Sequence, residues 1–180
     1  KADRPKWKHV GKKTKWIYPY FINTNIFNDS VKDKGSVILV ESIGDMLALF
    51  EKGFKNVLVT FGLDISPQMV CFLISLYPER IILAFNNDKH QQENRGLNAC
   101  AKGYLNLVKF INSDKIKICL PLQNDFGDMS SEDFSSWEEK FEKSKFMDQS
   151  KNISELIDKL TKTKYLSKNL LKNRKYINEC

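Results

Sequence analysis

Four short apolar runs alternate with segments of helical composition, and this alternation constrains the fold more than any other feature of the sequence. The runs are SVILV, NVLVTF, RIILAF and KIKICLP. They are rich in β-branched residues and mostly lack polar/apolar alternation, as expected of strands buried on both faces. Between them lie GDMLALFEKG, SPQMVCFLISLY and a longer helical pattern over residues 94–111. We therefore predict an α/β fold, in which a mostly parallel sheet of about four strands carries helices on both faces.

The regions outside this pattern are basic or polar. Residues 23–35 are expected to form a turn-rich connector. A helix is expected from Ser136 to about Met147, with Ser135 and Glu138 as its capping box. Residues 151–176 are expected to form two basic helices. The predicted division of the chain is a basic N-terminal segment at residues 1–35, an α/β domain at residues 36–146 and a basic helical extension at residues 147–180.

The net charge of +7 is unevenly distributed along the chain. Residues 1–35 contain nine Lys or Arg and three Asp or Glu, whereas residues 36–146 contain twelve and fifteen. A basic end beside an acidic middle favours a polyanionic partner and an acidic site. The stretch RPKWKHVGKKTKW places aromatic rings among lysines, a pattern suited to nucleic acid but also to packing on a neighbouring domain. The candidate nucleic-acid contacts in it are Lys12, Lys13, Lys15, Trp7 and Trp16.

Several protein classes are excluded by what the sequence lacks. No apolar run approaches the roughly 18–20 residues of a membrane span, and no signal-peptide pattern begins the chain. None of the four cysteines lies in a CxxC pair, so a structural zinc site is not expected. Because the first residue is Lys rather than Met, we expect a fragment or a processed product.

Carboxylates follow three of the four predicted strands. The residues concerned are Glu41, Asp45, Asp88, Asp125 and Asp128, with Asn86 beside Asp88. Because ligands bind at the carboxyl ends of parallel strands, we expect these groups to share one edge of the sheet. Gathered carboxylates repel one another, and Mg²⁺, which prefers hard oxygen ligands, relieves that repulsion. Each residue is also compatible with a local role as a helix cap or a turn former.

These motifs resemble those of the Toprim domain. VILVESIGDMLAL resembles its first motif, a strand ending in Glu with Asp four positions later, and VLVTFG resembles its second strand and glycine. IILAFNND is similar to the strand that ends in the Asp-x-Asp motif of the family. ICLPLQNDFGD is similar to the later strand and acidic loop of primase members. The resemblance covers roughly residues 36–130 and is strongest to DNA primases, particularly phage-encoded ones.

The resemblance implies a DNA primase, a nucleotidyltransferase that synthesises RNA primers on single-stranded DNA with Mg²⁺ or Mn²⁺. The implied partners are the single-stranded template and ribonucleoside triphosphates, with a replicative helicase as a further candidate and no membrane. The implied location is the cytoplasm, or the host cytoplasm if the protein is phage-encoded. Two alternatives stay open: a metal-dependent nuclease of the same fold, and a non-catalytic nucleic-acid-binding or replisome-binding module.

The resemblance also implies residue roles. Glu41 matches the glutamate that acts as general acid/base or binds the metal ion. Asp45 matches the acid that supports this glutamate, and Asp88 matches the second metal-binding Asp of the Asp-x-Asp pair. These three are the candidate catalytic residues. Lys89 is a candidate contact for nucleotide phosphate. The candidate metal ligands are Asp88, Asn86, Glu41, Asp125 and Asp128, the last two matching the additional primase acid.

The sequence departs from the Toprim pattern at two places. Asn86 stands at the first position of Asp-x-Asp, where its carbonyl oxygen can ligate a metal but brings no negative charge. We therefore expect weaker Mg²⁺ binding. The segment KHQQENRG delays the glycine that the family commonly shows almost at once to Gly96, which lengthens the polar loop.

Overall fold

Four parallel strands form a single sheet at the centre of the molecule. The structure, a computed structural model, describes residues 11–143 and 151–162. The strands are β1 (Ser36–Val40), β2 (Val57–Val59), β3 (Arg80–Leu83) and β4 (Ile116–Ile118), in the order β2-β1-β3-β4. Every neighbouring pair is parallel. The predicted α/β class, with a parallel four-stranded sheet, is confirmed.

The described residues form six α-helices, of which the first precedes β1 and the others connect or follow the strands. They are α1 (Thr24–Lys34), α2 (Ile43–Glu51), α3 (Pro67–Leu76), α4 (Arg95–Leu107), α5 (Ser131–Lys143) and α6 (Lys151–Lys162). Short 3₁₀ turns lie at Lys13–Lys15, Ser113–Lys115 and Phe126–Asp128. Local chemistry explains the start of α3: the Ser66 hydroxyl accepts from the Met69 N–H, and Pro67 occupies the first helical position.

Helices cover both faces of the sheet, so alternate residues of each strand enter different cores. On one face α1, α3 and α4 pack around Phe27, Leu39, Leu73, Phe85 and Leu107. On the other face α2 and α5 pack around Ile38, Leu49, Ile82, Phe126 and Trp137. Burial on both sides is the reason that the strands are apolar at nearly every position. Helix α6 lies against α4 and extends the helical layer.

The segment predicted as a turn-rich connector is a helix instead. Residues 24–34 form α1, which buries Phe27 and Val31 on the sheet and ends at Gly35 in the left-handed conformation (φ 62°). The spacing of four between Phe27 and Val31 is typical of one helix face, and Gly35 is a typical helix C-terminal residue. The Asn, Asp and Lys residues between them hid this helical pattern in the sequence. Packing on the sheet therefore begins before residue 35, and the predicted domain division stays a prediction.

Helix α5 also begins earlier than predicted. Its N-terminal box is formed by Ser130 and Asp133, not by Ser135 and Glu138. The Ser130 N–H donates to the Asp133 carboxylate at 3.0 Å, and the Asp133 N–H donates to the Ser130 hydroxyl at 3.1 Å. The start of the helix at residue 131 brings Phe134 and Trp137 onto the sheet. The burial of these two side chains stabilises that start, and capping rules based on neighbouring residues do not include it.

Two further helix predictions need correction or lie partly outside the described residues. Helix α4 ends at Leu107 rather than near residue 111. The first of the two predicted basic helices is α6, and the second, up to residue 176, lies outside the described residues. Among the residues that the structure describes, no helix has the length and apolar character needed to cross a membrane.

Candidate active site

Acidic side chains gather at the carboxyl edge of the sheet. Glu41 follows β1 directly, and the register pairs β1 with β3 so that the segment after β3 lies beside it. Burial raises the pKa of Glu41 above its ordinary value, and the nearby negative charges of Asp45 and Asp88 raise it further. The positive charge of Arg95 opposes this rise. Glu41, Asp45 and Asp88 are therefore close enough to interact electrostatically, as the strand positions predicted.

The Asp45 carboxylate is buried, and hydrogen bonds from other parts of the chain occupy both of its oxygens. It is 2% exposed, and its Oδ2 accepts from the Ser42 N–H (3.1 Å) and the Ser42 hydroxyl (2.6 Å). The Ser42 hydroxyl in turn accepts from the Asp45 N–H, which completes a capping box at the start of α2. Asp45 Oδ1 accepts from the Phe126 N–H at 3.3 Å, which joins α2 to the loop after β4. Burial raises the pKa of Asp45, and these hydrogen bonds lower it in part.

Asp88 is held by the loop that leads into α4. Its Oδ1 accepts from the Gln91 side-chain amide at 3.0 Å, and its Oδ2 accepts from the Gly96 N–H at 3.3 Å. Gly96 packs so closely that a Cβ there would lie 1.7 Å from the backbone carbonyl oxygen of Asn86. This contact explains why the longer loop still returns to a glycine.

The two asparagines before Asp88 have different surroundings. Asn87 is fully engaged: its amide donates to the Pro121 carbonyl at 2.9 Å, and its Oδ1 accepts from Asn94 at 2.9 Å. Asn87 thus links the ends of β3 and β4 to the N-cap of α4. The Asn86 Oδ1 is buried and accepts no hydrogen bond from any described residue. An orphaned buried carbonyl oxygen is costly unless a cation or a donor satisfies it.

In the acidic loop after β4, Asp125 interacts with the neighbouring acids, whereas Asp128 lies exposed. Asp125 Oδ1 accepts from the Asp128 N–H at 3.0 Å, and the charge of Asp125 contributes to the raised pKa of Asp45. Phe126 is 1% exposed and anchors the loop in the core. Asp128 is exposed, and only its backbone takes part in the contact with Asp125. Within residues 11–143 and 151–162, no three His, Cys, Asp or Glu side chains come together as a group able to hold a metal ion.

The predicted nucleic-acid and nucleotide contacts lie in several environments. The Lys89 ammonium is exposed and donates to the Leu122 carbonyl at 2.9 Å, so it braces the loop after β4. Lys12 and Lys15 are exposed, and Lys13 belongs to the 3₁₀ turn that lies against α3. Trp16 packs edge-on against Phe61, which follows β2, with ring centres 5.5 Å apart. Trp7 lies outside the described residues.

Arg95 is the residue at this edge that the sequence analysis missed. It is the first residue of α4, and its charge acts on Glu41. The available signal was its place directly before Gly96, at the start of a helix that follows the acidic cluster. A cavity of about 600 Å³ lies at the opposite, amino edge of the sheet, between Tyr20, Phe72 and Tyr77. It is separate from the acidic site.

Comparisons of the sequence and of the structure with known proteins both find DNA primases. No protein-family model matches the chain. In sequence it is 32% identical over 112 residues to a DNA primase of Borreliella burgdorferi, a match that covers 62% of this chain and 17% of that protein. In structure it is similar to the RNA polymerase domain of the Mycobacterium tuberculosis primase DnaG, with a TM-score of 0.55 and 14% identity over 77% of this chain and 46% of that one.

A second solved structure extends the likeness. The zinc-binding and RNA polymerase domains of the Aquifex aeolicus primase match with a TM-score of 0.51 and 18% identity, over 98% of this chain and 40% of that one. At these identities the likeness establishes the fold alone. The neighbours of the chain in sequence and in structure are thus DNA primases, and the chain spans 17% of the length of the sequence relative.

Proposed function

We propose that the chain is the Toprim part of a DNA primase, which synthesises RNA primers on single-stranded DNA by Mg²⁺-dependent nucleotidyl transfer. The observation that carries the proposal is the position of Glu41 beside Asp45 and Asp88 at the carboxyl edge of a parallel sheet. The sequence similarity to a DNA primase over 112 residues supports it. A DNA-directed RNA polymerase of this kind works mainly by positioning its substrates and neutralising their charge.

The donor set at this edge suits Mg²⁺. Glu41 and Asp88 would hold the ion, with Asp125 and the Asn86 oxygen as nearby oxygen donors. Mg²⁺ is usually bound by one or two carboxylates together with waters and substrate phosphates, so a site with fewer than three clustered acids is compatible with it. The buried, unsatisfied Asn86 oxygen fits such a role, because a cation would relieve its lost hydrogen bond. When bound, Mg²⁺ or Mn²⁺ would neutralise triphosphate charge and acidify the primer hydroxyl.

The residues of the chain divide the remaining work. The Glu41 carboxylate accepts no hydrogen bond from any described residue, so it is available to hold the ion or to take a proton from the primer 3′ hydroxyl. Asp45 positions α2 and the loop after β4 and does not meet the substrate. Asp88, fixed by Gln91 and Gly96, presents a carboxylate of set orientation.

The partners in this proposal are a single-stranded DNA template, ribonucleoside triphosphates and a replicative helicase. The basic turn at Lys13–Lys15 precedes Trp16, which packs beside the end of β2. Exposed Lys12 and Lys15 thus lie on a segment that leads to the acidic edge, where a template backbone would benefit from positive charge. The proposed location is the cytoplasm, or the host cytoplasm for a phage-encoded protein.

Primer synthesis by the full-length protein tests the proposal. We expect Glu41→Gln and Asp88→Asn each to reduce labelled primer formation by about 100-fold or more, because each removes a charged group from the reacting site. Asp114→Asn is the matched control, since it removes an exposed carboxylate at the opposite edge of the sheet. Thermal unfolding followed by circular dichroism verifies that each variant is folded. Primer yields equal to wild type from both site variants would overturn the proposal.

A second candidate function is a non-catalytic nucleic-acid-binding module. The specific observation in its favour is Asn86, which stands where the Toprim pattern has a charged ligand. This candidate predicts salt-sensitive binding of single-stranded DNA that persists in EDTA, without primer synthesis. Mg²⁺ calorimetry on the wild type and on Asn86→Asp separates the two candidates. Heat of binding only in Asn86→Asp would favour the module, whereas binding by both would favour the primase.

A further inference from the structure

Arg95 presents an unpaired positive charge at the acidic edge. It is exposed at the first position of α4. Within the part of the chain that the structure describes, its guanidinium makes no hydrogen bond or ion pair. Yet it lies near enough to Glu41 to act on that carboxylate electrostatically. An arginine beside acids that it does not pair with is available to a second anion.

The backbone on each side of Arg95 is anchored. On one side, the Asn94 amide donates to Asn87 at 2.9 Å. On the other, the Gly96 N–H donates to Asp88 at 3.3 Å, and Gly96 packs directly on the backbone of Asn86. These contacts hold the start of α4 against the end of β3. The Arg95 side chain therefore leaves from a fixed point beside the candidate catalytic acids.

The donors next to Arg95 in the described structure already have partners. The Lys89 ammonium donates to the Leu122 carbonyl at 2.9 Å. The N–H groups of Gly96 and Leu97 at the start of α4 donate to Asp88 and Asn94, so the helix terminus itself offers little to an anion. A guanidinium, in contrast, carries up to five donors in a planar fork that suits phosphate oxygens.

We propose that Arg95 binds phosphate oxygens of the ribonucleoside triphosphate at the acidic edge. The inference rests on the proposed primase function and assigns a substrate-binding residue to the same site. The longer segment between Asp88 and Gly96, which departs from the Toprim pattern, is what supplies this residue. Arg95 thus places a positive charge beside the candidate metal site, where Asn86 contributes an uncharged oxygen.

Equilibrium binding of fluorescently labelled GTP to the full-length protein tests the inference. In the presence of Mg²⁺, we expect Arg95→Gln to weaken triphosphate binding by about tenfold, as for the loss of one charge-assisted contact. Arg95→Lys should recover only part of the loss, because an ammonium lacks the fork geometry. Lys32→Gln is the control for the loss of one positive charge, since Lys32 is exposed on α1 away from the acidic edge.

A second arm with a labelled single-stranded oligonucleotide identifies the source of the phosphate. We expect the DNA affinity of Arg95→Gln to match that of Lys32→Gln. A loss of DNA affinity with unchanged GTP affinity would overturn the inference, because Arg95 would then contact the template backbone. In primer synthesis, Arg95→Gln should raise the KM for nucleotide about tenfold with little change in kcat.

The outcomes separate this inference from the proposed function. A wild-type protein that makes primers, together with an Arg95→Gln variant that behaves like Lys32→Gln in both assays, overturns the role of Arg95 alone. A wild-type protein that neither binds nucleotide nor makes primers overturns the proposed function, and the inference with it.

Discussion

At the scale of single residues, the same chemical group has different roles according to what surrounds it. Glu41 directly follows β1 and Asp45 lies in the first turn of α2, and burial raises the pKa of both carboxylates. Both carboxylate oxygens of Asp45 accept hydrogen bonds, one from Ser42 and the other from the Phe126 N–H. Glu41 has no such donors among the described residues. A carboxylate that is partly desolvated and unsupported is poised for chemistry, and it also lowers the stability of the fold.

Replacement of Glu41 by Gln should therefore stabilise the protein at neutral pH. A folded-state pKa raised above the ordinary value of 4.5 gives stability that is full below that value and is lost as pH rises through the folded pKa. Glu41→Gln removes this loss. Its free energy of unfolding should exceed that of the wild type at pH 7, and the difference should shrink towards about pH 4. Urea unfolding across this range measures it.

The control for this pH series is Asp114→Asn, which removes an exposed carboxylate far from the acidic edge. A Glu41→Gln variant less stable than the wild type at pH 7 would contradict the assignment of Glu41 as an unsupported carboxylate.

At the scale of secondary-structure elements, the approach of α4 to the end of β3 organises the site. Asn94 caps the helix, accepting from the Leu97 N–H at 3.0 Å, and also contacts Asn87. Gly96 then meets the Asn86 backbone with no room for a side chain. This helix start places Asp88 and Arg95 on the same edge as Glu41.

A methyl group at Gly96 should displace this helix start. Gly96→Ala would put a Cβ 1.7 Å from the Asn86 carbonyl oxygen, so α4 or the loop must move. We expect a destabilisation of about 1–3 kcal/mol, typical of overpacking, measured by urea unfolding. Gly44→Ala in α2 is the matched control, because its Cβ would come no closer than 3.5 Å to the Ser42 hydroxyl. That variant should be neutral or more stable by up to about 1 kcal/mol. Equal effects of the two substitutions would contradict the packing described for Gly96.

At the scale of the whole molecule, α5 connects the acidic loop to the second core. Trp137 is fully buried and packs edge-on against Phe54 and Phe126, with ring centres 5.8 and 4.9 Å away. Its indole N–H donates to the Cys119 carbonyl just after β4 at 3.1 Å. Phe126 carries the N–H that holds Asp45. One aromatic residue thus joins the end of β4, the acidic loop and the face of the sheet.

Truncation of Trp137 should weaken the whole domain. We expect Trp137→Ala to lower the free energy of unfolding by about 3–5 kcal/mol, through the lost ring contacts and the cavity that remains. Leu47→Ala, which truncates a side chain that is 48% exposed on α2, should cost less than about 1 kcal/mol. Chemical unfolding of the two variants side by side gives the comparison. A small effect at Trp137, comparable to that at Leu47, would show that α5 is not part of the folded core.

Features that depend on neighbouring residues in the sequence were predicted correctly, and features that depend on packing between distant residues were not. The four strands, their parallel arrangement and the start of α3 came from apolar runs and capping residues that are contiguous in sequence. Helices α1 and α5 were misjudged because their polar residues hide the two or three side chains that pack on the sheet. Glu41, Asp45 and Asp88 interact at the shared carboxyl edge that parallel strands imply, and the roles of all the predicted site residues stay predictions.

By itself, the sequence determined the α/β architecture and the edge at which Glu41, Asp45 and Asp88 meet, because periodicity and strand ends are local properties. Only the tertiary structure decided which of these acids is free. Asp45 is occupied by the Phe126 N–H, 81 residues away, and Lys89 by the Leu122 carbonyl, 33 residues away. Arg95 was left unpaired beside Glu41 by the same packing. Contacts between residues so distant in sequence depend on how helices and loops pack on the sheet, which no local pattern records.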